Sequence, residues 1–123
     1  MDRVKSAVIG AGQYGTAVIV QQFSASGIEV KIAADLDAEK ALRAYREAGI
    51  PAERIVYAAG EGEARAALAS GKYVYTDRPG IVFGIEEIDV ICDSTGNPET
   101  GARVALNALE AGKNLVCVGK ERV

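Results

Sequence analysis

The sequence contains no histidine. That absence excludes a histidine-based metal site, a serine–histidine–aspartate triad and an imidazole general base. Cysteine is scarce: Cys92 and Cys117 lie in separate apolar runs. Two isolated cysteines cannot build a four-cysteine zinc site, and they read as small core residues of a reduced, cytoplasmic protein, with a disulfide or a reactive thiol as the alternative. No run of about 18 apolar residues occurs, so no membrane partner is expected. The start, Met1-Asp2-Arg3-Val4-Lys5, leads into a short apolar run and then glycines, without the long apolar core of a signal peptide. Basic charge is not in excess: 14 Lys and Arg face 17 Asp and Glu, for a net charge of −3. No nucleic-acid partner is expected from that balance.

What remains is an ordinary globular composition, with 49% hydrophobic and 25% charged residues over 123 positions. This is the size of one domain or a piece of one. Short apolar runs alternate with helical patterns along the chain. Lys5–Ile9 is a first strand, closed by Gly10. Thr16, Ile19, Val20 and Phe23 share one helical face, and Gly27 stops that helix. Glu29–Ala34 is a second strand, ending at Asp35. Asp37 is placed to cap a helix through Ala38, Ala41, Leu42, Tyr45 and Ala48, which Gly49 and Pro51 end. Ile55–Ala58 is a third strand, and Glu61–Ser70 a helix. Tyr73–Thr76 is a brief extended piece, Asp77–Gly80 a turn, and Ile81–Glu87 carries no clear pattern. Ile88–Asp93 is a strand with Ser94-Thr95-Gly96 as its exit loop. Asn97 and Pro98 open a helix in which Ala105, Ala108, Leu109 and Gly112 share a face. Asn114–Val118 is the last strand.

Strict alternation of strand and helix predicts a single α/β domain with a mostly parallel, doubly wound sheet. Counting the five full strands, the expected order is 3-2-1-4-5.

The chemistry concentrates in Gly10-Ala11-Gly12-Gln13-Tyr14-Gly15. The run has a strand before it, a helix after it, and Asp35 twenty positions beyond Gly15 at the end of the next strand. That is the pattern of a Rossmann-type dinucleotide site. Gly10 allows the tight turn, Gly12 lets a pyrophosphate reach the backbone, and Gly15 lets the helix pack against the sheet. The phosphates sit at the helix N-terminus, where unpaired N–H groups and the helix dipole favour negative charge. Asp35 is placed to accept hydrogen bonds from the adenosine ribose and to repel a 2′-phosphate, so NAD is expected ahead of NADP; a solvated strand-end carboxylate or a helix cap is the alternative. Lys40 or Arg43 could blunt that repulsion if turned inward. Ser94, Thr95 and Gly96 follow the strand across the topological switch point and are candidate contacts to the ribose–nicotinamide half. A plain strand-to-helix turn is the alternative for that loop.

Val8-Ile9-Gly10-Ala11-Gly12-Gln13-Tyr14-Gly15 resembles many dehydrogenases. Ile88–Gly96 together with Ala105–Val116 resembles the homoserine dehydrogenase family, nearest the homoserine-dehydrogenase-like oxidoreductases with a C-terminal SAF domain. Ala41–Gly49 is similar to the same branch, and Gfo/Idh/MocA sugar dehydrogenases share much of the pattern. The resemblance implies an NAD(P)-dependent enzyme acting on a small hydroxy or carbonyl metabolite. It also implies a substrate domain beyond residue 123, so that 1–123 is either the cofactor domain of a truncated chain or a small stand-alone module. With no histidine for the proton, the chain alone is expected to bind cofactor without turning over substrate.

In homoserine dehydrogenases an Asn-Lys pair follows this last strand, with its lysine near the nicotinamide. Lys120 is the candidate match, preceded here by Gly119 rather than asparagine; Glu121 could match a glutamate of the SAF-containing branch. A charged tail over 120–122 is the competing reading, and no other catalytic residue is assigned. The competing function is a non-catalytic regulatory module that senses NAD or NADH, or a structural domain. A second copy of the chain remains open as a partner.

Overall fold

In a computed structural model of the chain, residues 4–10, 28–95 and 98–117 are described. The strands are β1 (Val4–Ile9), β2 (Ile28–Ala34), β3 (Ile55–Tyr57), β4 (Tyr73–Thr76), β5 (Val90–Asp93) and β6 (Asn114–Cys117). The described helices are α1 (Ala38–Glu47), α2 (Glu61–Ala69) and α3 (Pro98–Glu110), with short 3-10 segments at Ala52–Arg54 and Pro79–Gly84. The helix expected over 16–23 and the proposed cap Asn97 lie outside the described residues.

All the strands run parallel in one open sheet of order β3-β4-β2-β1-β5-β6. The α/β class and the reversal of direction at β1 agree with the sequence. The order needs one correction. The third strand, Ile55–Tyr57, does not lie beside the second; Tyr73–Thr76 is a full strand and takes that place. Ala34 stands opposite Thr76, and Tyr57 opposite Tyr75. The unassigned stretch 81–87 is largely the Pro79–Gly84 3-10 segment, whose Ile81 and Val82 are buried.

Each sheet face has its own core. On one face α1 lays Ala41, Ala44 and Tyr45 on Val8, Val30, Ala33, Tyr73 and Cys92. On the other, Ala64, Ala67 and Leu68 of α2 and Val104 and Ala108 of α3 meet Ala7, Ile9, Ile32, Ala34, Val74 and Ile91. Helices on both faces explain why the strands read as continuous apolar runs rather than alternating ones. Leu109 does not belong to the buried stripe of α3, contrary to the sequence expectation: it is 76% exposed, and Val104 and Ala108 do the packing. Cys92 is buried, as expected of a core cysteine. No described helix is long and apolar enough to cross a membrane.

Strand β2 contains a bulge. Ser6 pairs with Val30, but Ala7 pairs with Ile32, so Lys31 is the extra residue. The slip explains why Val30 and Ala33 share one face while Ile32 and Ala34 share the other. Lys31 itself is buried, with its ammonium 4.3 Å from the Tyr73 ring centre and 4.0 Å from Glu29. Burial holds its pKa below the usual lysine value, with Glu29 opposing that shift.

Candidate functional site

The carboxyl ends of β1, β2, β4 and β5 meet along one edge of the sheet. Gly10 leaves β1 there with φ +96°, a conformation that glycine adopts freely. Its N–H donates to Ala34 O at 2.7 Å, tying it to the end of β2. On its other side a Cβ would lie 3.0 Å from Thr95 N and 3.1 Å from Ser94 C. Glycine is therefore required at this position twice, by the dihedral and by the approach of the β5 exit loop.

That loop is bound back onto the glycine. Ser94 N donates to Ile9 O at 2.9 Å, and the Ser94 hydroxyl reaches the carbonyls of Ile9 and Gly10. Thr95 donates its N–H at 3.0 Å and its hydroxyl at 2.8 Å to Asp93 Oδ1. Asp93, the last residue of β5, is only 6% exposed. Its Oδ2 faces the first turns of α3, where a Cβ at Gly101 would come within 2.9 Å of it. The structure thus gives Ser94 and Thr95 structural work: they fix the edge of the glycine turn, and their hydroxyls point into the protein's own hydrogen bonds. The sequence reading did not single out Asp93 or Gly101. The available signal was an aspartate closing an apolar strand directly before Ser-Thr-Gly, a pattern suited to a side-chain-closed turn.

Asp35 and Asp37 divide the end of β2 between them. Asp37 caps α1, its carboxylate accepting from Glu39 N at 3.1 Å, as the sequence predicts. Asp35 Oδ1 accepts from Asp37 N at 2.8 Å, which orients the Asp35 carboxylate at the open edge. Leu36, between them, is 84% exposed. The edge thus sets an exposed apolar side chain next to an oriented carboxylate acceptor. Lys40 and Arg43 are exposed on α1.

The neighbouring strand end completes the edge. Asp35 N donates to Thr76 O at 3.0 Å, and Thr76 Oγ1 accepts from Arg78 N at 3.0 Å. Tyr57, at the end of β3, donates to Asp77 Oδ1 at 2.7 Å, and this bond raises the Tyr57 pKa, with the nearby Arg78 opposing. Sequence reasoning saw only a turn over 77–80 and missed its place beside Asp35, because it missed β4 as a sheet strand.

The structure brings Gly10, Asp35, Ser94 and Thr95 to one edge. Gly12, Gln13, Tyr14, Gly15, Gly96, Lys120 and Glu121 lie outside the described residues. No group of three or more metal-ligating side chains occurs among the described residues. A cleft of about 280 Å³ opens on the opposite side, near the start of β5, between Phe83, Gly84, Ile88, Asp89 and Lys113. It is remote from the strand ends described above, and Lys113 is engaged there with the carbonyls of Ile85 and Ile88 at 2.8 and 2.6 Å.

No protein-family model and no curated protein matches the sequence. Solved structures do share the fold. Myo-inositol dehydrogenase from Lactobacillus casei, in complex with NAD(H) and myo-inositol, is 24% identical with a TM-score of 0.66, over 94% of this chain and 28% of its own. An NAD-binding protein from Listeria innocua is 24% identical with a TM-score of 0.61, over 94% of this chain and 27% of its own. Levoglucosan dehydrogenase, in complex with NADH and L-sorbose, is 22% identical with a TM-score of 0.62, over 95% of this chain and 27% of its own. The chain therefore spans little more than a quarter of the length of these structures. At such identities the likeness establishes a common fold: the chain is an α/β domain of the architecture that these proteins carry.

Proposed function

We propose that the chain is the nicotinamide-dinucleotide-binding domain of an NAD(P)-dependent oxidoreductase, with NAD preferred over NADP. The observation that carries this reading is Gly10, pinned to Ala34 on one side and sealed by Thr95 on the other, with Asp35 oriented one strand away. A turn built this way leaves backbone where a side chain would otherwise stand. The next residues, Ala11–Gly15, supply the remaining glycines of the phosphate-binding pattern.

The residues present fit such a cofactor. Bound there, it would supply the hydride acceptor or donor, which no side chain can provide. Asp35 holds the adenosine ribose through its carboxylate, and Leu36 offers an apolar surface beside it. Asp93, Ser94 and Thr95 keep the β1 turn and the β5 exit loop in register, fixing the crevice at the switch point. A second domain is proposed to cover the nicotinamide and bring the substrate.

The finer assignment, a homoserine-dehydrogenase-like oxidoreductase with a SAF domain, rests on the sequence runs 88–96 and 105–116. The dehydrogenases that share the fold act on inositols and sugars, in keeping with a small hydroxy or carbonyl metabolite as substrate. Lys120 remains the catalytic candidate.

Calorimetric titration with NAD and NADH tests the reading. Binding to the wild-type chain and its loss in Gly12→Val, with the circular dichroism unchanged, is expected. Equal affinity in both proteins would overturn the pyrophosphate assignment. The absence of any binding to the wild type would overturn the cofactor role itself.

A further inference from the structure

We propose that Arg78, on the loop after β4, is the cation through which the ribose pocket of Asp35 admits a 2′-phosphate, so that NADP is accepted beside NAD. This inference rests on the dinucleotide reading above and names the residue that sets its specificity.

The placement follows from the strand order. Ala34 and Thr76 are registered partners at the carboxyl ends of adjacent strands, so the chain leaves both at the same edge, through Asp35 on one and Asp77 on the other. Arg78 is the next residue. Asp35 and Arg78 hang from one buried residue: Asp35 N–H donates to the carbonyl of Thr76, and Arg78 N–H to its hydroxyl.

The Arg78 backbone is also fixed from the other side. Its carbonyl accepts from Ile81 N at 3.2 Å, and Pro79 follows, which restricts the residue before it. The side chain, by contrast, is exposed: its guanidinium lies against the Tyr57 hydroxyl, a neutral partner, and among the described residues no ion pair within 4.0 Å offsets its charge. Asp77 Oδ1 is already engaged by the Tyr57 hydroxyl. An exposed guanidinium on a backbone fixed at both ends is prepared for a planar, two-pronged contact with a phosphate.

The other cations are less well placed. Helix α1 runs back from the carboxyl edge toward the amino edge, as a crossover between parallel strands must. Arg43 stands six residues past Asp37, about 9 Å along the axis. Lys40, in the first turn, is the competitor that the sequence suggested. It is a single charge on a flexible stem on the solvent side of α1, whereas Arg78 shares its anchor with Asp35.

The discriminating measurement is calorimetric titration of NAD and NADP into the wild type, Arg78→Ala, Arg78→Lys and Lys40→Ala. The wild type is expected to bind both, NAD more tightly. In Arg78→Ala the NADP affinity falls about tenfold or more while that for NAD is unchanged, the loss of a charge-assisted contact. Arg78→Lys recovers part of the loss, and Lys40→Ala leaves the ratio where it was. Equal weakening of both nucleotides in Arg78→Ala would mark a merely structural role and overturn the proposal. So would an unchanged ratio, or a shift that appears in Lys40→Ala instead. Wild type that binds NAD but no NADP overturns this proposal alone; wild type that binds neither overturns the dinucleotide reading beneath it.

Discussion

Gly10 and Thr95 come so close that a single methyl group at position 10 would lie 3.0 Å from the Thr95 nitrogen. The contact joins the turn after β1 to the loop after β5, the two segments that flank the switch point of the sheet. Gly10→Ala must therefore move the β5 exit loop as well as adopt φ +96°. The dihedral alone is expected to cost about 1–2 kcal/mol. Chemical denaturation should register at least that loss, and calorimetry should show NAD affinity falling with it. Undiminished stability would mean that the turn relaxes without the loop.

Asp93 is the buried link between that loop and α3. Asp93→Asn retains an oxygen for Thr95 but gives up the charge, whereas Asp93→Ala leaves the Thr95 N–H and hydroxyl without their acceptor. Leaving such donors unsatisfied is expected to cost about 1–3 kcal/mol. Thr95→Val, which keeps the backbone bond and loses the hydroxyl one, should cost about 1 kcal/mol. Thermal denaturation of the three variants checks the ranking: alanine worst, with asparagine and valine milder. Equal melting temperatures throughout would show that the Asp93–Thr95 bonds do not carry the loop.

The parts of this architecture that were legible in the sequence share a cause. Strands β1, β2 and β5 are buried on both faces, so they appear as apolar runs, and glycine or aspartate punctuates their carboxyl ends. Gly10, Asp35 and the Ser94-Thr95 loop at those ends are also the candidate site, so the site's edge came with the strands; the role of Asp93 did not, because its bonds to Thr95 and its approach to Gly101 exist only in the folded loop. Strand β4 was obscured because it is four residues long and carries two tyrosines, Tyr73 buried and Tyr75 half-buried. Its position between β3 and β2 depends on how the helix Glu61–Ala69 crosses the sheet, which local pattern does not encode. The bulge at Lys31 was hidden for a similar reason: a lysine reads as solvent-facing, and only the paired strand reveals the slipped register. Leu109 was misplaced because α3 buries a narrow stripe through Val104 and Ala108.

The two aspartates at the end of β2 can be separated by their separate bonds. Asp37→Ala removes the cap on Glu39 N and is expected to cost about 1 kcal/mol of stability. It should leave the preference between NAD and NADP intact. Asp35→Ser should do the reverse, narrowing the NAD preference by about tenfold as the ribose loses a charged acceptor and a 2′-phosphate loses its repulsion. Stability curves and paired titrations on the same two variants decide the matter. A nucleotide preference that moves with Asp37 rather than Asp35 would transfer the ribose role to the capping residue.

Tyr45 gives the fold an alkaline limit. It is fully buried under α1, its hydroxyl donates to Val30 O at 3.2 Å, and its ring lies 5.6 Å from that of Tyr73. Burial pushes its pKa well above the usual value, with Tyr73 and Glu29 adding to the shift. In the unfolded chain the phenol ionises near pH 10. Below that pH both states hold the proton, and Tyr45 contributes its full stabilisation. Above it the unfolded state releases a proton that the folded state retains, so stability falls by about 1.4 kcal/mol per pH unit until the folded-state pKa is reached. Tyr45→Phe has no proton to release. It should cost about 1 kcal/mol at neutral pH, from the lost bond to Val30, and then close the gap with the wild type as the pH passes 10. Denaturation midpoints of the two proteins between pH 7 and 11 measure this. Curves that stay parallel through the alkaline range would show that Tyr45 ionises as readily in the folded chain as in the unfolded one.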